Sequence, residues 1–294
     1  MNKVGFIGVG IMGKSMVRNL MKAGFELHIY ARTKSKVEDV ISEGAQFHES
    51  IKDCVQDCDA VITIVGFPQD VEEVYFEEGN ILDSAKKGAY LIDMTTTSPQ
   101  IAEKIYEEGT KRGFHVMDAP VTGGDTGAKA GTLSILVGGE KEDYEACMPL
   151  FEAMGTNINY QGKAGCGQHC KLANQIMIAG TLSGVCEALT YAKEQGLDPE
   201  VFMKSVATGA AGSKQLDTFG PKILKDDYAP GFFMKHFIKD MKLALIEANR
   251  KGLSLDVLSM VLANYEELEQ EGYGDLGTQA LMKFYDEEHR NMEE

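Results

Sequence analysis

A short apolar run, Val4-Gly5-Phe6-Ile7, leads directly into Gly8-Val9-Gly10-Ile11-Met12-Gly13, a Gly-x-Gly-x-x-Gly turn, and an amphipathic stretch follows. No other feature constrains the chain as much. The first glycine of such a turn permits a tight passage from strand to helix. The second lets the backbone approach a pyrophosphate, and the third lets the helix lie close to the strand with its N-terminal amides facing the anion. Met16, Val17, Leu20 and Met21 recur at helical spacing and Gly24 ends the pattern, so strand, turn and helix stand in the order a dinucleotide needs. Gly8, Val9, Gly10, Ile11, Met12 and Gly13 are therefore the expected phosphate-side residues. The bland alternative is a glycine-rich turn without a ligand.

With 294 residues, 44% of them hydrophobic, the chain can fill two domains. Its formal charge of -16 argues against nucleic acid as a partner, because a basic surface would first have to cancel the acidic excess. Cys54, Cys58, Cys147, Cys166, Cys170 and Cys186 read as free thiols of a reducing cytoplasm, since a chain this large needs no staples and its start does not resemble a signal peptide. Their spacing includes no Cys-x-x-Cys, so no metal site is expected. The most apolar long stretch, from Ile176 to Ala192, is interrupted by Glu187 and diluted by Gly180, Thr181, Ser183 and Gly184, and it reads as too polar for a membrane span. The expectation is a soluble cytoplasmic protein.

From residue 3 to about 160, β-rich runs alternate with helical patterns, the signature of a parallel sheet with crossover helices. The expected strands are Val4–Val9, Leu27–Tyr30, Ala60–Val65, Leu91–Asp93, His115–Ala119, Leu133–Val137 and Ile158–Tyr160. Helices fit at Lys14–Ala23, Lys34–Glu43, Val71–Phe76, Gln100–Arg112 and Lys141–Met154. After Gly162 only helical patterns follow: one unusually long, about 168–195, then Phe202–Ala207, Met234–Lys251, Leu255–Gln270 and Thr278–Tyr285. Asp198-Pro199 reads as an N-cap with proline at the first helical position, and Ser98-Pro99 as another. The acids Glu266, Glu267, Glu269 and Glu271, and Asp286, Glu287 and Glu288, read as solvated faces. The expected architecture is an α/β, doubly wound Rossmann-type domain over 1–163, then an all-α domain over 164–294, joined by the long interdomain helix. Small residues on that helix (Ala173, Ala179, Gly180, Ser183, Gly184) suggest close approach by another helix.

An acid at the end of the second strand would bond an adenosine ribose diol, but the strand ends Tyr30-Ala31-Arg32-Thr33-Lys34. Arg32 can pair with a ribose phosphate and Thr33 can donate another hydrogen bond, which favours NADP over NAD. Arg32 could instead only stack on adenine. Val65, in Val65-Gly66-Phe67-Pro68, offers backbone and apolar contact to the cofactor.

Three further segments are too structured for ordinary loops: Asp93-Met94-Thr95-Thr96-Thr97-Ser98-Pro99, Asp118-Ala119-Pro120-Val121-Thr122-Gly123-Gly124, and Gly165-Cys166-Gly167-Gln168-His169-Cys170-Lys171-Leu172-Ala173-Asn174-Gln175. Together with the glycine turn they resemble the signatures of the β-hydroxyacid dehydrogenases, which include 3-hydroxyisobutyrate dehydrogenase, tartronate semialdehyde reductase and glyoxylate/succinic semialdehyde reductase. The resemblance runs through essentially the whole chain, with the motifs in order. It implies hydride transfer between NADP(H), or NAD(H), and a short 3-hydroxy acid or its semialdehyde.

Several of these residues also make physical sense alone. Thr122, Gly123 and Gly124 offer a hydroxyl and open amides to a substrate carboxylate, with threonine where relatives commonly have serine. Lys171 falls near the start of the long helix, where dipole and desolvation both ease release of its proton, and it matches the family's catalytic lysine. Asn174 and Gln175 follow, and which amide holds substrate is open, since many relatives have asparagine at the second position. His169 points to another helical face and reads as structural. Thr96 matches a residue that bonds the nicotinamide ribose. The resemblance puts Lys239 beside the cofactor and Asp240 nearby as an orienting acid, and Phe232 is placed to close over the nicotinamide. It also implies a homodimer or homotetramer. Two competing readings are an imine reductase of the same fold, against which Lys171 counts, and a dinucleotide sensor without turnover. A 6-phosphogluconate dehydrogenase would need a longer helical domain.

Overall fold

The opening strand, β1 (Lys3–Ile7), lies between β2 (Glu26–Tyr30) and β4 (Ala60–Thr63) and runs parallel to both. Outward from these lie β3 (Gln46–Phe47) on one side, and β5 (Tyr90–Asp93) and β6 (His115–Asp118) on the other, all parallel. The order β3-β2-β1-β4-β5-β6 reverses direction at β1, which is the switch point of a doubly wound sheet. The sheet continues through β8 (Leu133–Gly139) to β7 (Val121–Thr122), and β9 (Gly155–Gly162) pairs with β8. The computed structural model describes residues 1–286, and the chain divides into two compact units, one of Met1–Lys171 and one beginning at Leu172.

Successive strand residues feed opposite faces of the sheet. Phe6, Ile62 and Ile92 enter one apolar cluster with Met16, Val17 and Leu20, whereas Ile7, Val61 and Leu91 enter another with Val71 and Ile105. Helices therefore cover both faces, and the central strands are continuously apolar rather than alternating.

The sheet is mixed, which corrects the all-parallel expectation: β8 runs antiparallel to β6 and β7. The span 34–43, expected as one helix, is a 3-10 turn, Lys34–Lys36, and a short α-helix, Glu38–Ser42. Lys141–Met154 likewise breaks at Cys147 into Lys141–Ala146 and Met148–Met154, because Pro149 has no N–H to continue the ladder. Thr278–Tyr285 is 3-10 rather than α-helical. Ser98 occupies an N-cap position before Pro99, but its hydroxyl donates to Gln100 Oε1 at 2.8 Å instead of capping the backbone. Asp198 does cap, accepting from the Val201 N–H at 2.9 Å.

In the second unit the long helix, Cys166–Glu194, contributes Leu172, Ala179, Leu182, Cys186 and Leu189 to the core. They pack with Phe237 and Met241 of Met234–Arg250 and with Leu258 and Tyr265 of Asp256–Gln270. By length and apolarity this helix could cross a bilayer, a point on which the sequence reading of 176–192 was too strict, but its apolar face serves as core. Helix Lys214–Ile223 was not anticipated, since Gly220 and Pro221 interrupt its pattern. Of the acids expected on solvated faces, Glu269 and Glu271 are exposed, Glu266 pairs with Lys242 at 2.7 Å, and Glu287 and Glu288 lie outside the described residues.

Candidate active site

The three glycines of the opening turn differ in what surrounds them. Gly8 has φ +99°, and a Cβ on it would lie 2.0 Å from the Ile64 carbonyl oxygen. A Cβ on Gly13 would lie 2.1 Å from the Gly8 carbonyl oxygen, so these two residues close the turn against β4 and against the helix Ile11–Lys22. At Gly10 nothing stands within 4 Å of the same position. Gly10 is the helix N-cap and supplies no side chain to the first-turn amides, and no acid occupies that turn. An open backbone face, directed amides and no competing carboxylate fit a dinucleotide pyrophosphate. Val9 is buried beneath the turn, while Ile11 is exposed at its rim.

Arg32 and Thr33 follow β2 on the exposed surface, as expected. The Arg32 guanidinium is already engaged, however: it donates to Asp70 Oδ1 and lies 3.8 Å from Glu73 Oε2. An acid thus meets Arg32 from the first turn of the helix Pro68–Phe76, which follows β4.

At the neighbouring strand ends, the Val65 N–H donates to Thr95 Oγ1 at 2.9 Å. Thr95 and Thr97 are fully buried, and Thr96 between them is less so. Beneath this segment, Asp93 Oδ1 accepts from the Thr63 hydroxyl at 2.8 Å and the Thr95 N–H at 3.1 Å, while Oδ2 has no hydrogen-bond partner among the described residues. Burial pushes the Asp93 carboxyl from the ordinary 3.8 up to about 6. The fold thus tolerates the protonated acid better, so this group's contribution to stability is full below about pH 4 and declines as pH rises to about 6. Asp93→Asn keeps the acceptor and removes the ionisation. Urea unfolding should show the variant gaining up to about 3 kcal/mol on wild type between pH 4 and pH 7; an unchanged difference across that range would refute the assignment.

Asp118, at the end of β6, holds the start of the long helix: Oδ1 accepts from the Gly165 N–H and Oδ2 from the Gln168 N–H, each at 2.8 Å. The helix passes so close here that a Cβ on Gly167 would lie 2.4 Å from the Leu136 carbonyl oxygen. Gln168 is fully buried; its Nε2 donates to the Thr95 carbonyl at 2.7 Å and its Oε1 accepts from the Thr97 N–H at 3.0 Å. The sequence assigns Asp118 and Gln168 no role, because a polar pair that bonds the start of a helix is visible only once β5 and β6 are adjacent. Lys171, buried, follows Gln168 by three residues and so lies one turn along the same face. His169 is exposed.

Thr122 closes β7, and Gly123 and Gly124 carry φ +131° and +64° at the start of the helix Gly124–Ala130. Such angles turn successive amides toward one side, and only glycine adopts them without strain. Asp125 in this first turn is offset by Lys129, 3.6 Å away.

In the second unit, Gln175 is fully buried with both ends of its amide bonded. Its Oε1 accepts from Asn174 Nδ2 at 2.8 Å, and its Nε2 donates to Asp240 Oδ2 at 2.6 Å. Lys239 Nζ lies 3.0 Å from Asp240 Oδ1. Phe232 is exposed, with its ring 6.1 Å from that of Phe237.

Residues 3–162 match the family model for the NAD binding domain of 6-phosphogluconate dehydrogenase, and residues 165–285 match that for the NAD-binding of NADP-dependent 3-hydroxyisobutyrate dehydrogenase. The chain is 44% identical to the probable 3-hydroxyisobutyrate dehydrogenase-like 1, mitochondrial, of Arabidopsis thaliana, over 95% of this chain and 84% of that one. It is 38% identical to the 2-hydroxy-3-oxopropionate reductase of Escherichia coli, over 86% of each. Among solved structures, the 3-hydroxyisobutyrate dehydrogenase of Mycobacterium tuberculosis with L-serine superposes with a TM-score of 0.88 at 26% identity, covering 96% of this chain and 98% of that one.

Proposed function

Since this chain belongs to the β-hydroxyacid dehydrogenase family of NAD(P)-dependent oxidoreductases, of the 3-hydroxyisobutyrate dehydrogenase type, we propose that it interconverts a short-chain 3-hydroxy acid and its semialdehyde. We infer a preference for NADP(H) over NAD(H), supported by Arg32 and Thr33 at the end of β2. The observation that carries the reading is the continuous set of bonds leading to Lys171. Just after β4, the Ile64 N–H donates to the Ile7 carbonyl at the end of β1 and the Val65 N–H to Thr95 Oγ1, and the Thr95 carbonyl accepts from Gln168, one turn before the lysine.

A nicotinamide cofactor held at Gly8–Gly13 would supply the hydride for the carbonyl carbon. Lys171 Nζ gives a proton to the carbonyl oxygen in reduction and takes one from the alcohol in oxidation. The Thr122 hydroxyl and the Gly123 and Gly124 amides grip the substrate carboxylate, which orients the reacting carbon. Asn174, three residues beyond Lys171, presents its amide to the substrate hydroxyl, and Gln175 orients Asn174. That division is supported by burial: Gln175 is buried with its amide bonded to Asn174 and Asp240, whereas Asn174 is only half-buried.

A panel of 3-hydroxy acids, semialdehydes and cyclic imines, supplied with each cofactor and followed by nicotinamide absorbance, tests the reading. Turnover is expected with carboxylate-bearing alcohols and aldehydes, and faster with NADP(H). Turnover confined to imines would overturn it in favour of an imine reductase, and binding without any turnover in favour of a sensor.

A further inference from the structure

Arg32 and Asp70 form an ion pair across the mouth of the dinucleotide turn. Arg32 follows β2, and Asp70 lies in the first turn of the helix after β4; β2 and β4 flank β1, whose end carries the loop at Gly8–Gly10. In folds of this kind the adenosine ribose lies there. The two partners are not equally movable. Asp70 Oδ2 accepts from the Phe67 N–H at 2.9 Å, which caps the helix Pro68–Phe76 and fixes the carboxylate. The Asp70 side chain is 18% exposed, against 62% for Arg32. Glu73, one turn along the same helix, adds a second negative charge 3.8 Å from the guanidinium.

Building on the reading that the glycine turn binds a dinucleotide, we propose that Asp70, assisted by Glu73, is a specificity-determining counter-ion that competes with a ribose 2′-phosphate for Arg32 and keeps the preference for NADP(H) over NAD(H) small. A 2′-phosphate carries close to two negative charges, and to bond Arg32 it must share the guanidinium with the Asp70 carboxylate or displace it, facing both acids at short range in either case. A ribose diol pays no such penalty: it donates to a carboxylate and leaves the ion pair in place. Arg32 provides selectivity for the phosphate, and Asp70 limits it.

Calorimetric titration of NADP+ and of NAD+ into the full chain tests this, using wild type, Asp70→Asn, Glu73→Gln, Arg32→Ala and the double variant Arg32→Ala with Asp70→Asn. Asparagine retains an acceptor for the Phe67 N–H, so the helix cap survives, and Glu73→Gln leaves the cap untouched. Asp70→Asn should tighten NADP+ about tenfold or more while moving NAD+ less than about threefold, with a smaller shift in the same direction for Glu73→Gln. In the Arg32→Ala background the gain on NADP+ should fall below about threefold, because the competition needs the guanidinium. NADP+ affinity unchanged in both acid variants, or an equal gain without Arg32, would overturn the proposal and leave the dinucleotide site standing. Binding of neither dinucleotide to wild type would overturn the site itself, and the proposal with it.

Discussion

Lys171→Ala should lower kcat by about three to four orders of magnitude, the range lost when a positioned proton donor is removed, while calorimetric affinity for NADP+ stays within about threefold of wild type. The two effects separate because the residues assigned to the pyrophosphate lie at the turn after β1, whereas Lys171 sits on the second turn of a helix anchored at β5 and β6. Lys171→Arg should not restore turnover, since a guanidinium keeps its proton throughout the working range and its planar fork does not reproduce an ammonium. A merely structural lysine would behave differently: arginine would then recover activity together with thermal stability. Near-normal turnover in Lys171→Ala would remove the lysine from the mechanism.

The glycine turn allows folding and binding to be separated within six residues. Gly8→Ala places a methyl carbon 2.0 Å from a backbone oxygen at φ +99°, and Gly13→Ala places one 2.1 Å from the Gly8 oxygen. Backbone must move in both cases, so each should cost at least about 3 kcal/mol in urea unfolding. Gly10→Ala meets no atom within 4 Å, and its φ of -86° suits any residue. Gly10 is the helix N-cap, where alanine is disfavoured, so apo stability should fall by no more than about 1 kcal/mol, well short of the loss at Gly8 or Gly13. The added methyl instead occupies the space assigned to phosphate, where crowding of about 1–3 kcal/mol corresponds to about a tenfold to hundredfold loss of dinucleotide affinity. Undiminished binding by Gly10→Ala would place the pyrophosphate elsewhere.

Local patterns account for much that was legible in the chain. The strand, turn and helix around Gly8–Gly13 and the cap at Asp198 follow from a few adjacent residues, and the doubly wound character of the sheet follows from alternating strands and crossovers. Short elements were not legible, since two-residue strands such as Gln46–Phe47 and Val121–Thr122 offer no periodicity. Nor was the direction of β8, because an apolar run reads the same whether parallel or antiparallel. In the candidate site, Arg32 was read at the end of β2, but its counter-ion stands 38 residues on and meets it only because β1 lies between their strands. Gln168 had a similar fate: nothing in its neighbours tells that its amide bonds Thr95 and Thr97, more than seventy residues earlier. The sequence leaves open whether Asn174 or Gln175 faces substrate, and the bond that bears on that choice, from Gln175 to Asp240, joins residues 65 apart.

The central claim, a hydride passed between the cofactor and a short-chain 3-hydroxy acid, is tested most directly by isotope transfer. Reduced NADP carrying two deuterium atoms at C4 of the nicotinamide, incubated with a β-semialdehyde carboxylate and the full chain, should yield the hydroxy acid with one deuterium on the carbinol carbon, and Lys171→Ala should suppress that product. Cofactor oxidation that leaves no deuterium on that carbon, or none at all with any semialdehyde or hydroxy acid, would contradict the account.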